Sequence, residues 1–418
     1  MKSHLTAFGL GAGLVLVVGG VLAIAGPRFI EIDGDDESGG VSVVNIDDGD
    51  SSSFQLKDGQ LSIAAKWRGD FTFAGDARSL TSLSRSLDIE ITEDETVRKA
   101  QFELKDGKIR ITAVKDDTII AGPDGEGAAA DILQTFARSS GVNADQRLKA
   151  LIADGGKSAA LEEISALTGD HAAGAYIGAL SKIATLDDRD VTGLANRIST
   201  LKSDYAKRQA LAALLEHQKL GDVGLQSVLA AATSIDSDHE VRLIVEALSD
   251  SKLFASKADA ATALLADIES DHEIRLAVEA LLESDALKGD QAAGAIATAA
   301  AAIEGDYEKR LVIEAAAARM KSPPVAAAAI EAAAAIGGGH EQRLAIETIA
   351  ENLDEKSEIW LALIALSKGV EGDHERRLAV ESLAGRAPKS DPIKAALAEA
   401  AASIQSGHDR RLAHDALD

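Results

Sequence analysis

The sequence predicts an α+β multidomain protein: an N-terminal membrane-spanning or signal helix, a small antiparallel β domain, and a right-handed α-solenoid of about eight two-helix repeats. Three observations lead to this prediction: an uncharged apolar run near the N-terminus, alternating apolar and polar residues up to about residue 121, and a helical motif that recurs about every 34 residues. The expected segments are an anchor or signal peptide at 1–26, an acidic linker at 27–40, the β domain at 41–121, a Gly-rich linker at 122–127, a helical cap at 128–154 and the solenoid at 155–418.

The composition limits the chemistry open to the chain. Its 418 residues include 43 Lys and Arg against 68 Asp and Glu, which gives a formal charge of −25. Because that charge repels nucleic acid, we expect no nucleic-acid partner. The chain has no Cys, which excludes disulfides, thiolate metal sites and Cys nucleophiles.

The N-terminal segment is the first predicted element. Residues 5–25 carry no charge and are about as long as a membrane-spanning helix. Ala23-Ile24-Ala25 also fits the pattern of small residues before a signal-peptide cleavage site. We expect a single-pass anchor in a bacterial inner membrane, with the N-terminus inside and the remainder facing the periplasm. The alternative is a periplasmic protein released by cleavage near Ala25.

The β domain follows from a period of two in the apolar residues. The stretches FQLKDGQLSIAA (54–65) and FELKDGKIRITA (102–113) alternate on both sides of an Asp-Gly pair, which predicts two hairpins with type I′ turns. We expect six to eight antiparallel strands, with Trp67 packed in the core.

The helical part repeats one motif. SDHEVRLIVEAL at 237–248 returns as SDHEIRLAVEAL at 270–281, and related stretches occur before and after. We call the aligned acidic residues the Asp column: Asp170, Asp204, Asp238, Asp271, Asp306 and Asp373, with Gly339 and Gly407 in the same register. A second set of residues falls between the motifs and marks the expected start of the other helix in each repeat: Ser158, Asp190, Asp222, Ser256, Asp290, Ser322, Ser357 and Asp391.

Charged residues inside the motif suggest a ladder between repeats. Ser237 and Glu240 have the spacing of a reciprocal capping box. The Arg column follows: Arg208, Arg242, Arg275, Arg310, Arg343, Arg377 and Arg411. Six of these have an acidic residue four positions later, so each can form a pair within its helix. We also expect each Arg to reach the Asp of the adjacent repeat. The alternative is a stripe of Arg residues that captures acidic ligands.

His or Tyr stands directly after each Asp-column position. This ring column is His171, Tyr205, His239, His272, Tyr307, His340, His374 and His408. A ladder of metal ions is one interpretation. We favour a structural one, because Tyr also fills the position and helices of successive repeats lie about 8–10 Å apart, too far for single His residues to share zinc. We expect the rings to cover helix starts, with no bound metal or cofactor.

The stretch Asp238–Leu248 resembles the second-helix signature of HEAT repeats, over roughly residues 155–418. That resemblance implies an α-solenoid with Asp and Arg ladders and a protein-binding role. The S-D-Y/H-E-x-R-L spelling is also similar to helical repeats attached to bacterial membrane sensor–metallopeptidases of the β-lactam-sensing type. Peptidase activity does not carry over, because the chain lacks HExxH.

We find no catalytic motif in the folded part. Each His-Glu pair is followed by Leu where a zinc peptidase needs its second His, and no phosphate- or dinucleotide-binding loop occurs there. We therefore expect no catalytic residues and no enzymatic activity. The expected function is a protein-binding scaffold of the bacterial cell envelope. The alternative is a ligand-sensing extracytoplasmic subunit of an envelope stress or signalling complex.

Overall fold

The computed structural model describes residues 30–32, 42–47, 51–250, 254–354 and 358–417, with side chains from residue 51 onward except at 254–257. The chain divides into two compact units, one up to Ile183 and one from Ala184. The first contains a small antiparallel β domain with three helices, and the second is a series of helices in a helical-repeat arrangement. The first unit therefore extends beyond the predicted boundary at 155.

The β domain consists of one eight-stranded sheet and one two-stranded sheet, all antiparallel. The large sheet has the order β1-β2-β3-β4-β7-β8-β9-β10, and the β5–β6 hairpin is inserted between β4 and β7. The strands are β1 (Ile30–Ile32), β2 (Ser42–Asp47), β3 (Ser52–Asp58), β4 (Leu61–Arg68), β5 (Phe71–Phe73), β6 (Leu80–Leu83), β7 (Ser86–Glu93), β8 (Thr96–Lys105), β9 (Lys108–Lys115) and β10 (Thr118–Ile120). Strand β1 lies inside the predicted acidic linker and pairs with β2.

The hairpin turns agree with the sequence at one Asp-Gly pair and differ at the other. Asp106 and Gly107 both have positive φ, 52° and 73°, as a type I′ turn requires. At the first hairpin Asp58 pairs with Leu61, so the loop consists of Gly59 and Gln60, one residue later than predicted. Two further loops have two positive φ values but contain no Gly, Asp94-Glu95 and Asp116-Asp117, so no Asp-Gly pair marked these turns.

The core of the first unit lies between one face of the sheet and helix α1 (Gly122–Ser140). Phe54 from β3 packs edge-on against Phe136 of α1 at 5.9 Å between ring centres. Trp67 is partly buried and packs edge-on against Phe71 at 5.6 Å. The apolar residues whose alternation predicted the strands therefore lie on the sheet face that α1 covers.

Two helical segments of this unit differ from the predicted boundaries. Residues 122–127, predicted as a linker, form the first turns of α1, because Pro123 stands where a helix needs no backbone N–H. Helix α2 (Ala144–Ala166) is interrupted at Gly156, whose φ is 71°, two residues before the predicted helix start at Ser158. Helix α3 (Asp170–Ile183) completes the unit.

The second unit contains 14 α-helices among its described residues. They are α4 (Asp188–Ser199), α5 (Asp204–His217), α6 (Asp222–Ala232), α7 (Asp238–Ser249), α8 (Phe254–Ala263), α9 (Asp271–Glu283), α10 (Gly289–Ala302), α11 (Asp306–Ala315), α12 (Pro323–Ala334), α13 (Gly339–Asn352), α14 (Trp360–Ser367), α15 (Asp373–Arg386), α16 (Asp391–Ala402) and α17 (Gly407–Asp415). Two short 3-10 helices follow α8 and α11, at Leu264–Asp267 and Ala317–Arg319. Most helices pack against the second one along the chain, as α5 does on α7 and α10 on α12.

The Asp column marks helix starts without exception. Every one of its eight positions, Gly339 and Gly407 included, is the first residue of a helix. The second set of predicted starts is less accurate. Asp222 and Asp391 begin helices, Ser322 is an N-cap, and Asp190 is the third residue of α4. Asp290 and Ser256 fall one and two residues inside their helices, and Ser357 lies outside the described residues.

The predicted anchor or signal segment at 1–26 lies outside the described residues. Within the described ranges no helix is both long and apolar enough to cross a membrane.

Candidate functional site: the ladder along the repeat helices

The Asp column ties each repeat to the next through backbone hydrogen bonds. Asp238, the first residue of α7, accepts hydrogen bonds from the N–H groups of Glu269 and Ser270, at 3.1 and 2.8 Å. Those groups belong to the loop that leads into α9. Asp204, Asp271, Asp306 and Asp373 each accept the same pair of bonds from the corresponding loop. The carboxylate at the start of one helix therefore fixes the start of the equivalent helix in the next repeat.

This arrangement replaces half of the predicted capping box. The hydroxyl of Ser270 does accept from the N–H of Glu273, at 3.4 Å. The N–H of Ser270 bonds to Asp238 of the preceding repeat, however, and not to the carboxylate of Glu273. In α7 the Ser237 side chain makes no cap bond. The Glu of the predicted box is engaged by an Arg instead.

The Arg column joins two carboxylates on different helices. Arg275 of α9 donates from Nη1 to Glu279 in its own helix at 2.5 Å, and from Nε to Glu308 of α11 at 2.6 Å. Arg242, Arg310, Arg343 and Arg377 repeat both bonds, with Asp409 as the acceptor in the next helix for Arg377. The acceptor in the next repeat is thus the third residue of the helix, not the Asp that we predicted. The Asp is already committed to backbone N–H groups.

Arg208 makes only the bond to the next repeat. It donates to Glu240 at 2.7 Å, and Ala212 stands where the other members have a carboxylate. Its guanidinium lies over the ring of Tyr205, at 4.8 Å from the ring centre. The ladder therefore begins with a cation–π contact in place of the second ion pair.

The contacts of the ladder favour the charged forms of Arg275 and Glu375. Partial burial lowers the pKa of Arg275, but the hydrogen bonds and charges of Glu279 and Glu308 outweigh it, so the pKa lies above its ordinary value. For Glu375 burial raises the pKa, but the hydrogen bond and charge of Arg343 and the nearby His340 and His374 outweigh it, so the pKa is lowered. Both shifts favour the ionised pair.

The ring column lies against the Arg column. Nδ1 of His272 faces Nη2 of Arg275 at 3.2 Å, and His239, His340 and His374 make the same contact with the Arg three residues later. Tyr307 reaches Arg310 through its ring face, at 5.0 Å. His239, His272, Tyr307, His340 and His374 are all exposed, and we call these five the ring stripe.

Three predicted site residues, and the Gly that replaces Asp at position 339, do not join this pattern. His171 lies in the first unit, packed against Phe54 with ring centres 6.2 Å apart, and burial lowers its pKa. Gly339 has no carboxylate to bind the following loop. His408 and Arg411 of α17 are exposed and make no hydrogen bond or ion pair with described residues.

The structure also reveals a buried polar cluster that we did not predict. Arg147 of α2 is fully buried and donates to the hydroxyl of Tyr176 at 2.8 Å and to the carbonyl of Gly75 at 3.3 Å. Its Nη2 lies 2.7 Å from Glu163 without hydrogen-bond geometry, so that contact is ionic. Arg138 donates two bonds to the same carboxylate, at 2.7 and 2.9 Å. The sequence carried no signal for the cluster, because no repeated pattern links its members.

The β domain contributes one shallow groove on the sheet face opposite α1. It has a volume of about 590 Å³, and Gln55, Ala64, Glu90 and Lys99 form one row across it. Lys99 and Glu90 form an ion pair at 2.9 Å. Ala64 is the one small side chain in this row, between Gln55 and Glu90.

Among the described residues no group of three or more His, Asp or Glu is arranged to hold a metal ion. No protein-family model, curated protein or solved structure matches this chain.

Proposed function

We propose that the helical array is a non-enzymatic scaffold that binds other proteins along its ring stripe. The observation that carries this proposal is the regular exposure of five ring side chains on successive repeats, above charged groups that already satisfy one another. We also propose that the array is a right-handed HEAT-like solenoid. The repeated Asp and Arg bonds between neighbouring repeats support this proposal.

The chemistry of the stripe suits an extended protein segment. Where Nδ1 of His272 accepts from Arg275, the neutral ring carries its proton on Nε2, which is then free to donate to a partner. Tyr307 is 54% exposed and offers a ring face and a hydroxyl. Packed helices typically lie about 8–10 Å apart, so we expect the rings to follow one another at about that spacing. A partner would then meet a row of rings that offer apolar faces together with hydrogen-bond donors.

Photo-crosslinking tests the stripe directly. A photoreactive residue replacing His272 should capture a discrete partner in cells, and Tyr307→Glu with His340→Glu should abolish that capture. The matched control is Val223→Glu with Leu361→Glu, which places two carboxylates at exposed apolar positions of α6 and α14. Capture that is unaffected by the stripe variant, or equally lost in the control, would refute binding through the stripe.

We further propose that residues 5–25 anchor the chain in a bacterial inner membrane or export it, so that the array faces the periplasm. The uncharged run and the following acidic chain support this proposal. A reporter enzyme fused after Gly40 should be active only outside the cytoplasm, and activity of a cytoplasm-only reporter at that position would contradict export.

A ligand-sensing role is the second candidate, and the groove on the β sheet favours it. Its row of polar side chains around Ala64 could take a small polar ligand. Such a ligand should shift the amide NMR signals of Gln55 and Lys99. Ala64→Gln should fill the groove and remove the shift without lowering the melting temperature.

A further inference from the structure

Strand β9 has an open edge over most of its length. It pairs with β8 from Lys108 to Lys115, whereas β10 covers only Ala113–Lys115 on the other side. Residues 108–112 therefore have no pairing partner on that side among the described residues. The two-residue turn at Asp106-Gly107 sets the phase of the hydrogen bonds, since the residues flanking such a turn bond to each other. It follows that the N–H and C=O groups of Ile109 and Ile111 point outward.

The same edge exposes apolar side chains. Ile111 is 44% exposed and Leu104 of β8 is 40% exposed, although both lie on the sheet face that buries Phe102. Ile119 of β10 is 68% exposed. These are three of the six large hydrophobic side chains that are exposed in the described part of the chain. Exposed apolar residues next to an unpaired strand edge are a feature of peptide-binding sheets.

The hairpin is also basic in a strongly acidic protein. Residues 96–115 contain six Lys and Arg and two acidic residues, while the whole chain has a charge of −25. Lys105 and Lys108 form no ion pair with any described residue. Arg110 lies 3.4 Å from Asp106, and both side chains are exposed. The alternation places Lys108 and Arg110 on the outer face of the edge and Ile109 and Ile111 on the inner face.

Lysines on an edge strand often serve to prevent self-association. A purely protective edge would not also expose Ile111 and Leu104, because apolar side chains promote pairing. The combination instead defines a strand-shaped site with two different sides. An added strand would form backbone bonds to Ile109 and Ile111 and place alternate side chains against isoleucines and against lysine and arginine.

We propose that the open edge of β9 binds an extended acidic segment of a partner protein, in which apolar and acidic residues alternate. The segment adds to the sheet as a further strand. Its apolar side chains contact Ile109, Ile111 and Leu104, and its carboxylates pair with Lys108 and Arg110. This site is separate from the proposed ring stripe and does not depend on it.

The test is binding of a labelled synthetic peptide, (Val-Glu)4 with blocked termini, measured by fluorescence anisotropy at low and high salt. We expect saturable, salt-sensitive binding and slower hydrogen exchange at the amides of Ile109 and Ile111. The triple variant Lys105→Glu, Lys108→Glu, Arg110→Glu should weaken binding by at least about ten-fold, equal to about 1.4 kcal/mol. Ile111→Pro, which removes an outward N–H at an edge position, should weaken it as well.

The matched control is Lys57→Glu, Lys66→Glu, Arg68→Glu, which changes the net charge equally on β3 and β4. It should retain binding of (Val-Glu)4, and the basic peptide (Val-Lys)4 should not bind to the unmodified protein. Binding that survives the β9 variant, or that leaves the amides of Ile109 and Ile111 unprotected, would overturn the proposal. So would concentration-dependent self-association through β9, which would make a second copy of the chain the occupant.

Discussion

Arg275 illustrates how one side chain can hold two helices together. Its planar guanidinium presents several N–H donors in a fixed arrangement, so it can bind Glu279 and Glu308 at the same time. An exposed ion pair contributes at most about 1 kcal/mol, because water competes for both partners. The Arg275 side chain is only 13% exposed, and its loss would leave two partly buried carboxylates unpaired.

Arg275→Ala should therefore lower the free energy of unfolding by about 2 kcal/mol. Arg411→Ala is the matched control at the same repeat position, because Arg411 has no partner among the described residues, and its effect should stay within about 0.5 kcal/mol. Urea unfolding followed by circular dichroism measures both. Equal losses from the two substitutions would mean that the ion pairs contribute nothing beyond side-chain packing.

Glu375 should make stability depend on pH in the acid range. Its pKa is lowered in the folded protein, so the unfolded chain binds protons more readily as the pH falls. The stabilisation is complete well above the ordinary Glu pKa of about 4.3 and is lost as the pH falls through the lower folded value. Unfolding curves of the unmodified protein and Glu375→Gln should differ at pH 7, and the difference should shrink as the pH falls below the ordinary Glu pKa of about 4.3. A difference that stays constant over this range would contradict the ionic role.

At the scale of helices, the Asp column shows why the motif spells a helix start so consistently. The Asp that begins α7 accepts bonds from the loop before α9, the next equivalent helix, so it positions one helix while beginning another. Gly339 is the exception, because the carbonyl of Glu371 approaches it so closely that a Cβ there would lie 2.0 Å from the carbonyl oxygen. The following loop passes Gly372 at a φ of 81°. That repeat therefore joins by close backbone approach rather than by a carboxylate.

Gly339→Ala should destabilise the protein by more than about 2 kcal/mol, because the new methyl group collides with backbone that cannot rotate away. Gly294→Ala is the control within an exposed helix position that has open space around it, and it should stabilise by about 0.5–1 kcal/mol. Thermal unfolding measures whether each substitution lowers or raises the stability of the protein. Stability of the Gly339 variant equal to that of the unmodified protein would show that the loop adapts.

The sequence was informative wherever a pattern recurs. A column of acidic residues at a nearly constant period identifies helix starts, because the same backbone N–H groups need a hydrogen-bond acceptor in each repeat. It could not identify the acceptor of each Arg, since Glu308 and Asp306 are two residues apart and only the fold decides which carboxylate is free. The cluster of Arg147 and Tyr176 occurs once, so no internal comparison could reveal it.

At the scale of the whole molecule, stability should be distributed over neighbouring repeats. The ladder bonds join a helix only to the next equivalent one, and the described helices of the second unit contact helices that are near them along the chain. A chain truncated after Glu371 should remain folded and helical, with a lower melting temperature. Circular dichroism and limited proteolysis provide the measurement, and complete loss of helical signal would indicate a single cooperative core instead.

The direction of the ladder has a consequence for how such a protein can change its length. Each Arg from Arg208 to Arg377 reaches forward to the third residue of the next equivalent helix, as Arg242 does to Glu273 and Arg275 does to Glu308. Removal of residues 271–305 would join Ser270 to Asp306 and bring Arg242 opposite Glu308, with donor and acceptor still matched. Gene duplications and deletions of whole units are therefore compatible with the fold. An insertion inside a helix that is not a whole repeat long would move the Arg and its acceptor out of register at that point of the ladder.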